Sequence, residues 1–195
     1  MTNRNQLFRF PSLILLMCSM ATVFAQGQQT FRETGNVTIS IAGTSTLHNW
    51  EMTSSAGNCQ AVFTVGRDGK LEAVHSASFS TPAESLKSGK GPMDHNAYKA
   101  LKTNQFKDIS FRLANGEVNG KTIRCKGDLT IAGNTKHVDL EADWILNEKS
   151  TVLRLVKTIR MTDFEVEPPS FMFGTVTTGD EITIDIRLIL APVEA

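Results

Sequence analysis

The sequence predicts an all-β domain, an antiparallel up-and-down barrel of about eight strands with one short helix. From Val37 onward apolar and polar residues alternate, as they do in strands that bury one face and expose the other. Gly and Asn turn signals separate the alternating segments, which follow one another as sequential hairpins. A two-sheet sandwich would show the same alternation, but sequential hairpins favour the barrel.

The composition is that of one globular domain. The 195 residues are 41% hydrophobic, and 20 Lys and Arg balance 20 Asp and Glu. A chain of this length buries enough surface to be stable without a dense disulfide framework. Binding to nucleic-acid phosphates needs a cluster of excess basic residues, and the sequence has no such cluster. We therefore expect no nucleic-acid partner.

The first 25 residues have the features of a cleavable signal peptide. Arg4 and Arg9 precede an apolar run over residues 13–24 that contains no acidic residue. Val23 and Ala25 are small residues at the third and first positions before a cleavage site that would make Gln26 the N-terminus of the mature protein. We therefore expect a signal peptide over residues 1–25 and a single domain over residues 26–195, located in the periplasm or secreted. An uncleaved anchor is the alternative.

Three segments show the alternation most clearly, with one apolar and one polar side each. Their apolar sides are Ile123, Cys125, Gly127, Leu129 and Ile131; Val138, Leu140, Ala142, Trp144 and Leu146; and Ile182, Ile184, Ile186, Leu188 and Leu190. Further strands are predicted over residues 37–42, 59–65, 71–81, 109–113 and 152–161, with residues 47–53 as a separate ninth strand. The predicted turns are Asp68-Gly69, Asn115-Gly116, Asn119-Gly120 and Gly133-Asn134.

One segment between strands reads as a helix. Asp94 is placed to cap a helix over residues 95–102, with Met93 packing against it as a staple. An interruption of this kind suggests a lid or plug on the barrel. The apolar segment over residues 164–175 shows no alternation and is expected to cap one barrel end or to guard access to the interior.

The interior of an eight-stranded barrel is either filled by side chains or holds one elongated ligand. Small inward residues such as Ala73, Gly127 and Ala142 would leave room, so we hypothesise an apolar tunnel. By strand parity its lining residues are Phe63, His75, Phe79, Phe111, Ile123, Leu129, Leu140, Trp144, Leu155, Ile184 and Ile186.

Five short motifs, in order along residues 36–190, resemble those of YceI-like proteins. They are GTSTLHNW at residues 43–50, the segment from Met93-Asp94 to Leu101, and residues 106–111, 127–133 and 161–164. The resemblance implies a lipocalin-like barrel, typically periplasmic, whose apolar tunnel holds an isoprenoid chain or another long amphiphile. It brings no catalytic residue and no cofactor. Asn49 stands where Asp is more usual, and the cysteine pair also departs from the simplest pattern.

Polar candidates are few. The four histidines lack metal-ligand spacing and no Cys-x-x-Cys accompanies them, so no metal site is expected. His48, with Trp50, is a candidate contact for a ligand's polar head at the tunnel mouth, or else its ring bonds backbone where the first strand bends. His75 is either a polar contact inside or a hydrogen-bonded core histidine. Cys59 and Cys125 are an even pair that could form a disulfide in an oxidising compartment.

The expected function is that of a secreted or periplasmic binding protein rather than an enzyme, since the nucleophile-elbow pattern Gly-x-Ser-x-Gly is absent. It would hold a polyisoprenoid or similar long-chain lipid for transport, storage or sequestration, with transient contact to a membrane. The alternative is a structural or adhesion β-domain with a filled interior. The sequence favours neither a monomer nor an oligomer.

Overall fold

The structure is a computed structural model that describes residues 27–147, 150–171 and 173–193. The signal peptide expected over residues 1–25 lies outside the described residues. Within them the chain forms one α-helix, two short 3₁₀ turns and ten strands. In chain order these are β1 (Gln28–Ser45), β2 (Trp50–Ser54), β3 (Asn58–Val65), β4 (Leu71–Pro82), η1 (Ala83–Ser85), α1 (Gly91–Ala100), β5 (Asp108–Asn119), β6 (Thr122–Ile131), β7 (Asn134–Asn147), β8 (Ser150–Arg160), η2 (Thr162–Phe164), β9 (Ser170–Phe171) and β10 (Val176–Pro192).

The strands close into an eight-stranded antiparallel barrel. From β3 to β8 each strand pairs with the next, and β10 joins β8 to β1. One edge of β1 pairs with β3 over Gln28–Arg32 and with β2 over Ile39–Gly43, while the other edge pairs with β10. The ten strands fill eight positions in the barrel, because β2 and β3 share one position and the two-residue β9 only pairs with the start of β10. The predicted all-β barrel with one helix is confirmed.

A β-bulge reverses the predicted facing of His75. Val62 pairs with Ser76 and Phe63 with Val74, so His75 is the extra residue of β4. Its ring is exposed and lies 2.7 Å from the Thr64 hydroxyl on the outer surface. The prediction that His75 faces the interior is therefore wrong, because strict alternation does not survive an inserted residue.

Three of the four predicted turns are not where the sequence suggested. Asn115-Gly116 lies inside β5, where the pairing with β6 shifts register between Leu113 and Asn115. The hairpin after β6 turns on Ala132 and Gly133, with φ of 49° and 81°, so that Asn134 already begins β7. The hairpin after β5 turns on Gly120 and Lys121, since Asn119 still pairs with Thr122. The turn at Asp68-Gly69 is confirmed.

The helix begins earlier than predicted, at Gly91, and Lys90 rather than Asp94 is its N-cap. Pro92 occupies the first turn, where a missing N–H costs no hydrogen bond. The Asp94 carboxylate instead accepts hydrogen bonds from the Ser88 backbone N–H (2.8 Å) and hydroxyl (2.6 Å), which lower the pKa of Asp94. The Tyr98 hydroxyl donates to the Leu86 carbonyl at 2.7 Å, so both ends of the preceding loop are tied to the helix.

The side-chain core is unevenly distributed along the barrel. One end is closed by buried residues that we call the filled end: Phe31, Phe63, Ile123, Trp144, Leu188 and Leu190. The rings of Phe31 and Phe63 meet edge to face with centroids 5.5 Å apart. A second cluster, around Phe164 and Val166, packs η2 against the ends of β6, β8 and β10. No helix in the described part of the chain is long and apolar enough to cross a membrane.

Candidate binding cavity

A cavity of about 470 Å³ lies inside the barrel between the filled end and α1. This volume falls within the usual range of small-molecule sites, roughly 300–1,000 Å³. Its wall is almost entirely apolar. The strands contribute Ile39, Ile41, Phe79, Ile109, Phe111, Leu129, Ile131, Leu140, Leu155, Ile159, Ile182, Ile184 and Ile186.

Strand register gathers these side chains into rows across the barrel. Phe79 pairs with Phe111, which pairs with Leu129 on the next strand. Residues paired directly across neighbouring strands point to the same face, so one inward residue fixes the facing of the whole row. The rows consist mostly of branched aliphatic residues, too short to fill the centre of the barrel at this level.

Seven of the predicted lining residues are on the cavity wall. They are Phe79, Phe111, Leu129, Leu140, Leu155, Ile184 and Ile186. Their contact with a ligand remains a prediction.

The other four predicted residues lie elsewhere. Phe63, Ile123 and Trp144 point inward, as their parity requires, but they belong to the filled end and not to the cavity wall. His75 lies outside the barrel, for the reason given above. Parity predicts the facing of a residue and does not say how far along the barrel the open space extends.

The helix and two loops cover the cavity opposite the filled end. Pro92, Met93, Ala97 and Leu101 of α1 and its C-terminal turn line it, in agreement with the predicted lid or plug. These residues were not among the predicted lining residues, although Met93, Ala97 and Leu101 are four apart and so share one helix face.

The apolar loop after η2 closes the adjacent part of the cavity, as predicted for residues 164–175. Phe164 and Val166 are buried, and Pro169 and Phe171 also line the cavity. Phe173, in contrast, is completely exposed (111%). The same loop thus contributes both to the cavity wall and to the outer surface.

His48 and Trp50 both lie at the cavity rim. The Trp50 indole Nε1 donates to the Thr44 carbonyl at 3.0 Å. The His48 Nδ1 lies 2.9 Å from the Asn49 carbonyl, which matches the second interpretation, a ring that bonds local backbone. A contact from either residue to a ligand's head remains a prediction.

Lys157 also lines the cavity, although it was not among the predicted lining residues. It pairs with Ile184 on β10, so its side chain starts from the inner face between Leu155 and Ile159. Its Nζ donates to the backbone carbonyl of Asp139 at 2.9 Å. The shared parity with Leu155, which was predicted to line the tunnel, was the signal that could have identified it.

Cys59 and Cys125 are free thiols in this structure, so the disulfide that the sequence allowed is not formed. They lie on β3 and β6, which are not neighbours. Burial, with the nearby Glu33 carboxylate, raises the pKa of the Cys59 thiol to about 12. Burial also raises the pKa of Cys125. Both groups are therefore neutral small hydrophobes at neutral pH.

The described part of the chain contains no group of three or more His, Cys, Asp or Glu side chains arranged to bind a metal ion.

Comparison with known proteins gives one family match. The sequence model of the YceI-like domain matches residues 33–190. Among curated proteins, no match to the sequence is found.

Several solved structures have a similar fold. BcnA of Burkholderia cenocepacia has a TM-score of 0.65 at 16% identity, covering 78% of this chain and 95% of its own. A polyisoprenoid binding domain from Saccharophagus degradans has a TM-score of 0.61 at 10% identity, covering 86% and 100%. The Campylobacter jejuni YCEI protein has a TM-score of 0.56 at 18% identity, covering 71% and 85%. At these identities the likeness concerns the fold.

Proposed function

This chain belongs to the YceI-like domain family, and from that premise we propose that its barrel binds a polyisoprenoid or similar long-chain lipid in the apolar cavity. The observation that carries the proposal is the division of the barrel interior. One end is packed with side chains, yet the other encloses about 470 Å³ of space with an apolar wall. The Saccharophagus degradans domain of similar fold, which is described as a polyisoprenoid binding domain, supports the ligand class.

Binding in such a cavity depends on buried area. Each methylene taken from water into an apolar site contributes about 0.8 kcal/mol before the costs of ordering the chain. Affinity is therefore expected to rise with chain length until the cavity is full, and then to level off. The protein would transport, store or sequester the lipid without transforming it.

We also propose a place and a surface for the exchange of lipid. Residues 1–25 would direct the chain to the periplasm or out of the cell. Two large apolar side chains are exposed on loops at the cavity rim, Leu47 (69% exposed) and Phe173 (111%). The Thr46 N–H, next to Leu47, donates to the carbonyl of Thr177 at the start of β10 at 3.0 Å, which holds the first loop beside the strand that follows the second. Together they would contact a membrane transiently as the lipid moves in or out.

The decisive experiment is mass spectrometry of an organic extract of the protein purified from its native source. The control is the Leu140→Trp variant, whose indole would fill the cavity. A stoichiometric prenyl lipid or other long-chain amphiphile in the wild-type extract, depleted in the variant, is the expected result. A clean extract, with no thermal stabilisation by added prenyl quinones, would instead support a structural or adhesion domain that acts through its surface.

A further inference from the structure

The ladder between β7 and β8 is paired over only part of its length. Its register runs from Asn147 and Ser150 to Ala142 and Leu155, and there it stops. Beyond that point β7 stays paired with β6 as far as Asn134, and β8 stays paired with β10 as far as Arg160. We call the opening between residues 134–141 of β7 and 156–160 of β8 the side gap.

The side gap opens onto the cavity. Leu140 on one strand and Lys157 and Ile159 on the other line the cavity wall. The far end of the gap is closed by η2, where the Asn134 side-chain amide donates to the Phe164 carbonyl at 2.9 Å. The gap is therefore a bounded window in the side of the barrel, between that bond and the last ladder pair.

A second interrupted ladder shows what a filled gap looks like. β4 and β5 pair only over Ser78–Pro82 and Asp108–Arg112. Their unpaired parts lie towards the filled end, where a Cβ on Gly116 would come within 2.8 Å of Val74 Cγ1. Packed side chains therefore close the interruption between β4 and β5. The side gap between β7 and β8 is instead spanned by a lysine side chain.

The ammonium group of Lys157 crosses the side gap. Its stem starts on the inner face, and its Nζ reaches the Asp139 carbonyl on the opposite strand at 2.9 Å. An ammonium carries three N–H donors, and this bond occupies one. Lys157 is half-buried, so its other two donors are available to water or to an anionic partner.

The charges next to the side gap are balanced in a way that favours an anion at Lys157. The Asp139 carboxylate lies 3.7 Å from Lys126 Nζ, and the Glu141 carboxylate 3.3 Å from Arg124 Nε. Because both of these acidic groups, which lie within residues 134–141 of β7, have their own cation, an anion at Lys157 meets little net repulsion. The existing bond from the ammonium goes to a neutral carbonyl, whereas a carboxylate or phosphate oxygen would accept a hydrogen bond in which both partners are charged, and such a bond is stronger.

We propose that the side gap holds the polar end of the bound amphiphile, with its anionic head group on Lys157 and its chain in the cavity. This assignment rests on the proposed function, because it requires a chain in the cavity. It places the head at the side of the barrel and not at the rim formed by His48 and Trp50.

The test compares two probes with the same twenty-carbon isoprenoid chain, geranylgeranyl phosphate and geranylgeraniol. Binding of each to the full mature protein is measured by calorimetry for the wild type and for three lysine variants. Lys157→Met removes the charge at the side gap and keeps the length of the side chain. Lys90→Met removes the other lysine on the cavity wall, at the N-cap of α1. Lys70→Met removes an exposed charge on the turn between β3 and β4, which does not line the cavity.

The wild type should prefer the phosphate by about tenfold or more, the size of one charge-assisted hydrogen bond. In Lys157→Met the two probes should bind equally, whereas Lys90→Met and Lys70→Met should keep the preference. Unchanged affinity of Lys157→Met for geranylgeraniol would show that its cavity is intact.

The alternative outcomes separate two failures. If Lys90→Met loses the preference and Lys157→Met keeps it, the head lies at the lid and the side-gap assignment is overturned. It is also overturned if the wild type binds both probes equally, although the proposed function then stands. If neither probe binds the wild type, the proposed function fails, and the assignment fails with it.

Discussion

The indole of Trp50 lies across the backbone of Gly43, its direct partner in the β1–β2 ladder. A Cβ on Gly43 would come within 2.7 Å of Trp50 Cε2, closer than a real Cβ contact allows. The indole is held there by its bond to the Thr44 carbonyl. Glycine at position 43 is thus a condition for the position of a side chain at the cavity rim.

Gly43→Ala should displace the Trp50 ring and lower the free energy of unfolding by about 1–3 kcal/mol, the usual cost of overpacking. Chemical denaturation gives the free energy, and tryptophan fluorescence reports the ring. Gly91→Ala is the control, since a Cβ there has nothing within 4 Å. Equal behaviour of the two variants would mean that the contact between Gly43 and Trp50 does not matter for stability.

Leu140→Trp should weaken the binding of a prenyl chain by at least about tenfold, because the indole displaces several chain carbons, each contributing about 0.8 kcal/mol. Fluorescence titration with a labelled isoprenoid measures the loss. Ile145→Trp is the matched control on the same strand, where the side chain is 61% exposed. If both variants bind as the wild type does, the chain is not in this cavity.

The rim loops should contribute to membrane contact through Leu47 and Phe173. Replacing both with serine should lower the binding to lipid vesicles by at least about tenfold, since burial of each side chain in lipid is worth about 2 kcal/mol. Vesicle flotation measures the bound fraction. Ile145→Ser combined with Leu146→Ser, also exposed but on β7, should leave it unchanged. Equal losses in both pairs would indicate nonspecific adsorption.

Thr151 is completely buried (0%), and its hydroxyl has no hydrogen-bond partner among the described residues. Thr151→Val should therefore raise the free energy of unfolding by about 1 kcal/mol, because it removes a desolvated polar group and keeps the shape. Differential scanning calorimetry should find Tm higher by about 2–4 °C. Thr158→Val, which breaks the exposed pair with Thr183, should give no gain. A lower Tm in Thr151→Val would reveal a bound water that the hydroxyl needs.

The two strand cysteines should be reduced and unreactive in the native protein. Burial raises the pKa of both thiols, to about 12 for Cys59. Since the thiolate is the reactive form and a raised pKa keeps the thiol protonated, alkylation at pH 8 should be slow at both sites and slower at Cys59. Peptide mapping after a timed pulse of iodoacetamide measures the rates. Full alkylation of both after denaturation without a reductant would agree with free thiols, whereas protection would reveal a disulfide.

The alternation of apolar and polar residues predicted the inward and outward faces correctly where a strand runs without a bulge. In β10, Ile182 to Leu190 keep one parity along the whole predicted segment, and the predicted facing agrees with the structure. In β4 the same reasoning failed at His75, because a bulge inserts one residue and nothing in the local sequence marks its position. The Asn115-Gly116 pair was misleading for a related reason, since a bulge and a turn use the same residue types.

Strand parity could not predict where along the barrel the cavity lies. Leu140 and Trp144 face inward on the same strand, yet one lines the cavity and the other belongs to the filled end. Their difference depends on which side chains arrive from strands far away in sequence, Leu188 and Leu190 among them. The inward facing of Lys157 could have been predicted from the sequence, since it shares the parity of Leu155.

The barrel is closed by β1 and β10, which pair residues as distant as Phe31 and Pro192. Such closure is entropically costly and comes late, because the ends of a long loop must meet before their contacts stabilise anything. During synthesis, hairpins from β3 to β8 can form one after another while the interior still lies open on one side. A ligand-holding state therefore cannot exist until the last strand has emerged, and the nascent sheet must stay free of aggregation with its apolar face uncovered until then.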